Sequence, residues 1–315
     1  MLKARKVLIS AIALSLLATT GIQTSNAAPK NLSRAVAQPD WLEQNIDNPK
    51  VRIVEVSTEP GMYERGHIKN AAKIVWHTDL VDTVNRDIAS AKNFQKLAQK
   101  LGINQDTTVV LYGDKNNWFA AWGAWLFNIY GATDVRILDG GRVKWEKDGR
   151  ALTTAVPTFK QGNFTTRVAD KSLRASLLQD VLPVAKKRVK ADLIDIRSAD
   201  EYSGKIFAPA GFQELAVRAG HIPGAINVPW GQNVNADGTF KTVAELKKLY
   251  ADKGVDGKQN IITYCRIGER SSLTWFVLSE ILGYNVKNYD GSWTEYGNTV
   301  GVPISNPAGT VWGNS

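Results

Sequence analysis

The chain has 315 residues, of which 43% are hydrophobic and 22% charged, with a formal net charge of +9, 26 glycines, 11 prolines and one cysteine. This balance excludes a disordered or collagen-like chain, and a single cysteine excludes both an internal disulfide and a thiolate zinc cluster. The basic excess suits small anionic ligands, whereas the only dense cationic run, Lys186-Lys187-Arg188 with Lys190, is short and lacks interleaved aromatics, so nucleic acid is not an expected partner.

Lys3, Arg5 and Lys6 precede an apolar stretch from Val7 to Ala18, and polar residues then lead to Ser25-Asn26-Ala27-Ala28. A charged start, a short apolar centre and small residues at a cleavage point read as a signal peptide over 1–27, cut after Ala27. The apolar stretch falls short of the roughly 20 residues a membrane span needs, and no later run approaches that length. The expected protein is therefore periplasmic or secreted and free of the membrane after cleavage. No cysteine near the cut could carry a lipid anchor.

The rest of the chain repeats itself. Residues 34–152 form the first expected module. It contains an acid-bearing strand (Val54-Glu55-Val56), the turn Gly66-His67-Ile68, the apolar run Val109–Tyr112, a long helix and then Leu138-Asp139-Gly140-Gly141. A polar, irregular linker over 153–172 holds Pro157 and Gly162. The second module, 173–305, restates the order as Ile194-Asp195-Ile196, Gly220-His221-Ile222, Ile261–Tyr264 and Tyr289-Asp290-Gly291-Ser292, before a tail over 306–315. Matching segments lie 154, 152 and 151 residues apart, which is about one domain length and indicates duplication of a domain rather than a solenoid. Continuous apolar strands alternating with helices predict an α/β fold: two tandem modules, each a mainly parallel central sheet flanked by helices. His67 and His221 occupy matching turns, so they read as turn-fixing residues. Ser292 with Glu295 reads as a capping box opening a short last helix.

Cys265 stands at the end of the run Ile261–Tyr264, and a helix from Ser271 to Leu282, closed by Gly283, is expected beyond it. A lone cysteine is most often a packing residue. Here Arg266 and Arg270 flank it with Gly268 between them, an arrangement that apolar packing does not call for. A thiol at a strand end before a helix N-terminus sits where amide N–H groups and cations stabilise an anion, so Cys265 is expected to be a thiolate nucleophile near neutral pH. No zinc-ligand spacing exists, and no metal is expected.

The Gly-His-Ile-Pro-Gly-Ala turn at 220–225, the strand end Asp195-x-Arg197, the loop Cys265-Arg266-Ile267-Gly268-Glu269-Arg270 and Asp290-Gly291-Ser292-Trp293 together resemble the rhodanese family of sulfurtransferases, in its two-module form. The resemblance spans nearly the whole chain after the leader. The first module has Gly113 or Asp114 where the cysteine would be, which resembles a non-catalytic N-terminal module and implies a chemically silent wall of the cleft. The resemblance further implies that Cys265 takes the outer sulfur of thiosulfate, holds it as a covalent persulfide with no other cofactor, and passes it to cyanide or a thiol. Amides from Arg266, Ile267, Gly268, Glu269, Arg270 and Ser271 would cradle the persulfide, Arg266 and Arg270 would hold the donor's sulfonate oxygens, and Asp195 and Arg197 would brace the loop.

One departure concerns the donor side: where some members carry an extra arginine past Asp-x-Arg, this chain has Glu201, and Arg218 is expected to be a solvated surface residue. Within the family the alternative is a 3-mercaptopyruvate sulfurtransferase, whose loops resemble Cys-Gly-Ser-Gly. Outside it, a cysteine phosphatase or arsenate reductase resembles Cys-x5-Arg, one residue longer than the loop here. A non-catalytic exported sulfane-sulfur carrier would use the same loop.

Overall fold

Strands without polar alternation need cover on both faces, and the chain meets that need twice. The computed structural model describes residues 34–313 except Glu214, so the leader expected over 1–27 lies outside the described residues. In the first module β1 (Val36–Ala37), β2 (Val51–Glu55), β3 (Ala72–Lys73), β4 (Thr108–Tyr112) and β5 (Val135–Leu138) form a parallel sheet in the order β1-β5-β4-β2-β3. In the second, β6 (Asp192–Asp195), β7 (Ile226–Asn227), β8 (Ile261–Tyr264) and β9 (Val286–Asn288) form a parallel sheet in the order β9-β8-β6-β7. The main helices are α1 (Ala91–Lys100), α2 (Trp118–Ile129) and α3 (Gly141–Lys147), then α4 (Ala199–Ser203), α5 (Val243–Ala251), α6 (Glu269–Phe276) and α7 (Ser292–Asn298). No helix among the described residues is long and apolar enough to cross a membrane.

The duplication has a structural consequence at its centre. Helices α2 and α6 follow the matching strands β4 and β8, and they pack on each other more extensively than any other helix pair. An α-helix that is apolar all round must be buried on all sides. The sequence of α2, Trp118-Phe-Ala-Ala-Trp-Gly-Ala-Trp-Leu-Phe-Asn-Ile129, meets that condition because it faces its own sheet and the second module at once. One core therefore runs through both modules, joining Leu111, Trp122 and Trp125 to Ile194, Cys265, Leu273 and Phe276. Truncating Trp122 or Trp125 to alanine would cost about 3–5 kcal/mol, the range for a buried indole. Smaller clusters cover the outer face of each sheet, one around Leu42, Tyr112 and Trp145, the other around Val181, Tyr264 and Tyr296. The segment 153–172 has no regular element and lies along the first module, with Phe164 buried and its N–H on the Ile103 carbonyl.

The repeated turn and strand end are tied together in each copy. The Tyr112 hydroxyl receives the Ile68 N–H at 2.9 Å and donates to Glu55, while the Tyr264 hydroxyl receives the Ile222 N–H at 3.2 Å. His67 stacks on Tyr63 with a ring nitrogen 3.0 Å from the Tyr63 carbonyl, and His221 stacks on Tyr202 with a ring nitrogen 2.7 Å from the Tyr202 carbonyl. Both histidines thus hold turns to the preceding helix.

Two local expectations are corrected. The helix after Cys265 begins at Glu269 rather than Ser271, because Gly268 supplies a left-handed start (φ 99°). It changes to a wider π-turn over Val277–Ile281 before Gly283 (φ 74°). Ser292 is not an N-cap. It lies inside α7 with φ 52°, Gly291 takes the cap position, and the Ser292 hydroxyl instead donates to the Tyr289 carbonyl at 2.7 Å and accepts the Cys265 N–H at 3.1 Å.

Candidate active site

The C-terminal edge of a parallel sheet is where strand ends and helix starts meet, and ligands bind there in open α/β folds. Cys265 leaves β8 at that edge with no exposed surface. The loop after it turns back so that the Gly268 N–H donates to Cys265 Sγ at 3.1 Å. This approach requires Gly268: a Cβ there would lie 2.6 Å from the Trp122 ring of the first module and 2.7 Å from the Asp290 backbone. The Gly268 carbonyl is pinned from behind by the Ser272 hydroxyl at 2.8 Å and the Ser272 N–H at 3.0 Å. Asn288 on β9 completes that support by accepting from Ser271 at 2.6 Å and donating to Ser272 at 3.0 Å. On the other side, the Cys265 and Arg266 carbonyls accept the Trp293 and Thr294 N–H groups, each at 3.0 Å. The Ile267 carbonyl, at the loop's apex, accepts from Arg86 of the first module at 2.7 Å.

The charges arrange themselves differently from their order in the sequence. Arg270 makes a two-point pair with Glu201, Nη1 to Oε2 at 3.2 Å and Nη2 to Oε1 at 3.1 Å, and both side chains are buried. Burial acts to raise the Glu201 carboxyl, but the Arg270 charge and hydrogen bonds, with Arg197 and the Ser198 N–H, outweigh it and hold the group below the ordinary 4.5. Arg266 turns away from the sulfur: its guanidinium donates to the Gln213 carbonyl and lies 5.5 Å from the Phe212 ring centre. The two guanidinium groups expected to hold a donor's sulfonate thus each have a partner within the protein. Arg270 acts on the sulfur through its field, and Arg266 joins the loop to the 205–217 segment.

Glu269 also contacts the sulfur, with Oε2 at 3.4 Å as acceptor from the thiol and Oε1 at 3.8 Å from Arg270 Nε. Burial first, and then this carboxylate, push the Cys265 thiol above its usual value of 9.0. Arg270 and the Ser271 and Gly268 amides pull the other way with less effect. Burial and this carboxylate thus act against the expected thiolate, because sequence proximity to two cations did not become spatial proximity of their N–H groups.

The strand-end pair lies one strand over. Arg197 holds Asp195 at 3.0 and 2.6 Å, donates to the Gly220 carbonyl at 2.7 Å and lies 4.6 Å from the Trp293 ring centre, linking β6 to the Gly-His-Ile turn and to α7. Arg218 is not a solvated residue. It donates to the carbonyls of Gly297 at 2.8 Å, Tyr296 at 2.9 Å and Thr299, closing the C-terminal end of α7. In the first module Asp114 is buried. Its carboxylate caps the Thr58 and Glu59 N–H groups, and the surfaces offered to the loop are Arg86 and Trp122. Sequence reasoning missed these two. It also missed the role of Glu201, although Ser198-Ala-Asp-Glu201 is a legible capping box that forms as written.

A sulfur held by amides at the mouth of a helix, in the second copy of a doubled parallel α/β module, defines a cysteine-dependent group-transfer protein. The chain belongs to the rhodanese family of sulfurtransferases: the family profile for the rhodanese-like domain matches twice, at residues 38–148 and 180–299. It is 52% identical over 274 residues to a Mycolicibacterium smegmatis protein named "Putative thiosulfate sulfurtransferase", covering 86% of this chain and 98% of that one. It is 51% identical to the "Sulfur carrier protein TtuD" of Thermus thermophilus over 84% of this chain and 94% of the relative. Among solved structures, the 3-mercaptopyruvate sulfotransferase SseA of Escherichia coli superposes with a TM-score of 0.69 at 28% identity, covering 82% of this chain and 98% of that one.

Proposed function

We propose that the protein is a thiosulfate sulfurtransferase working through a persulfide on Cys265. The Cys265 sulfur attacks the outer sulfur of thiosulfate, the S–S bond of the donor breaks with its electron pair leaving on sulfite, and the enzyme keeps one sulfur atom. Cyanide or a thiol then removes that atom and regenerates the cysteine. The persulfide is the only covalent carrier this scheme needs. The observation that carries the reading is the turned-back loop, in which the Gly268 N–H already points at Sγ and would serve an outer sulfur in the same way. The Arg270 field and the basic balance of the chain favour a dianionic donor. The reading extends to an exported protein, supported by the pattern from Lys3 to Ala27.

Intact mass after incubation with thiosulfate tests the chemistry. The wild type should gain one sulfur atom and lose it to cyanide, while Cys265→Ser should gain none. A variant that still takes up sulfur, or a wild type that never does, would end this assignment. A second reading, a sulfur carrier without turnover, has the Thermus relative in its favour. Steady-state turnover with thiosulfate and cyanide in excess separates the two, and the specificity constant for 3-mercaptopyruvate beside that for thiosulfate fixes the donor.

A further inference from the structure

The Cys265 loop leans on groups from outside its own strand and helix. Gly268 packs so close to Asp290 that a Cβ would lie 2.7 Å from the Asp290 Cα, and the Ile267 carbonyl accepts from Arg86 at 2.7 Å. Both contacts lead to one side chain. We propose that Arg174 is a positioning residue for sulfur transfer, clamping Asp290 and Asp87, the chain neighbour of Arg86, so that the Gly268 N–H stays aimed at Cys265 Sγ; the inference rests on the sulfur-transfer reading above. Arg174 donates from Nε to Asp290 Oδ1 at 2.8 Å and from Nη2 to Asp290 Oδ2 at 2.9 Å, and its Nη1 lies 2.6 Å from Asp87 Oδ1. It stands outside both stretches that match the family profile, 38–148 and 180–299.

Local sequence brings these groups to one place. Asp82 accepts the Val84 and Asn85 N–H groups at 2.9 and 3.0 Å, closing a tight turn, and Arg86 takes a left-handed backbone (φ 58°) before Asp87–Ile88 pairs antiparallel with Val81–Asp82. Arg86 and Asp87 thus leave the tip of one hairpin toward the second module. Arg174 is fixed by its main chain: Asn288 donates to the Leu173 carbonyl at 3.0 Å and accepts the Ala175 N–H at 3.0 Å, so residues 173–175 line the edge of β9. The Leu173 carbonyl also accepts Trp125 Nε1 of α2 at 2.8 Å. The guanidinium is therefore carried by a backbone that both modules hold.

Burial decides which arm of the clamp matters more. The Asp290 side chain is 4% exposed, and a two-point fork to a buried carboxylate is a strong, directional pair. Asp87 is 55% exposed, where solvent screens an ion pair to a small value. The Asp290 arm thus sets the face against which Gly268 packs, and the Asp87 arm steadies the hairpin that carries Arg86. Transfer needs the amide in place as the outer sulfur joins Cys265, so loosening the clamp slows the chemical step rather than weakening capture of the donor.

Arg174→Ala, Arg174→Lys and Asp87→Asn, with wild type, decide the matter through two readouts: single-turnover persulfide formation by intact mass over a range of thiosulfate concentrations, and amide hydrogen exchange of the peptide spanning 265–270. In Arg174→Ala the limiting rate should fall about tenfold, short of the roughly hundredfold that a misplacement of about 1 Å can cost, with half-saturation little changed. Exchange in 265–270 should quicken while that of β2 and β4 stays as in wild type. Arg174→Lys keeps the charge without the fork and should lie between Arg174→Ala and wild type. Asp87→Asn should lose no more than about threefold, the scale of an exposed pair. A limiting rate in Arg174→Ala within about twofold of wild type, a loss carried by half-saturation alone, or unchanged exchange in 265–270 overturns the assignment. If Arg174→Ala does not fold, Arg174→Lys carries the test, and wild-type rate and exchange in that variant overturn the assignment equally. A wild type that takes no sulfur from thiosulfate would instead remove the sulfur-transfer reading, while the exchange pattern would still report whether Arg174 holds the loop.

Discussion

Glu201→Ala tests the electrostatic skeleton beneath the loop. The substitution removes both acceptors of Arg270, at 3.2 and 3.1 Å, and leaves a guanidinium that is 7% exposed without its main counter-charge. Breaking a buried pair by deleting one member costs about 3–5 kcal/mol, because the survivor keeps its desolvation penalty. Glu269, 3.8 Å from Arg270 Nε, compensates in part and places the expected loss near the low end, about 3 kcal/mol. For a domain of this size that corresponds to a fall in Tm of roughly 6–12 °C. The double variant Glu201→Leu with Arg270→Met should recover much of the loss, since two apolar side chains can fill the same space. The sign with pH follows from Glu201 being held below 4.5 in the fold. The unfolded carboxyl takes up its proton first as pH falls, so the pair's contribution is complete above 4.5 and is lost as pH drops through the folded value. Glu201→Ala should therefore show a shallower acid-side decline than wild type. Thermal unfolding followed by circular dichroism over a pH series gives both quantities. A single variant melting within about 2 °C of wild type, or a double variant no better than the single, would refute the buried-pair reasoning.

Two further substitutions probe how the loop is held. Arg86→Ala removes the hydrogen bond from the first module to the Ile267 carbonyl, and because Arg86 is exposed the loss should be only about 1 kcal/mol, or roughly fivefold in the rate of persulfide formation. An unchanged rate would show that the first module does not position the loop. Arg266→Ala frees the loop from the Gln213 carbonyl and the Phe212 ring, so Cys265, now fully buried, should become several-fold more reactive to iodoacetamide at fixed pH. Slower alkylation would mean that Arg266 assists the thiol rather than restrains its surroundings.

Local pattern and repetition alone determined much of this protein. Apolar strands such as Ile261–Tyr264 become strands wherever both faces are covered, and the spacing of Gly66-His67-Ile68 and Gly220-His221-Ile222 disclosed two copies of one α/β module. The position of Cys265 at a strand end was equally legible, because a strand, a glycine-bearing loop and a helix start are all short-range features. Partner choice among charges was not. Arg270 and Glu201 are 69 residues apart in the chain, and Arg86 and Ile267 are 181 apart, so only the packing of β8 beside β6 and of α2 against α6 decided who met whom. The same packing set the surroundings of the thiol. Sequence neighbours suggested two cations for Cys265, but folding buried the sulfur, occupied both guanidinium groups elsewhere and left a carboxylate in contact with it. Desolvation and spatial neighbours govern a buried group's charge, and neither can be read from the linear order of residues.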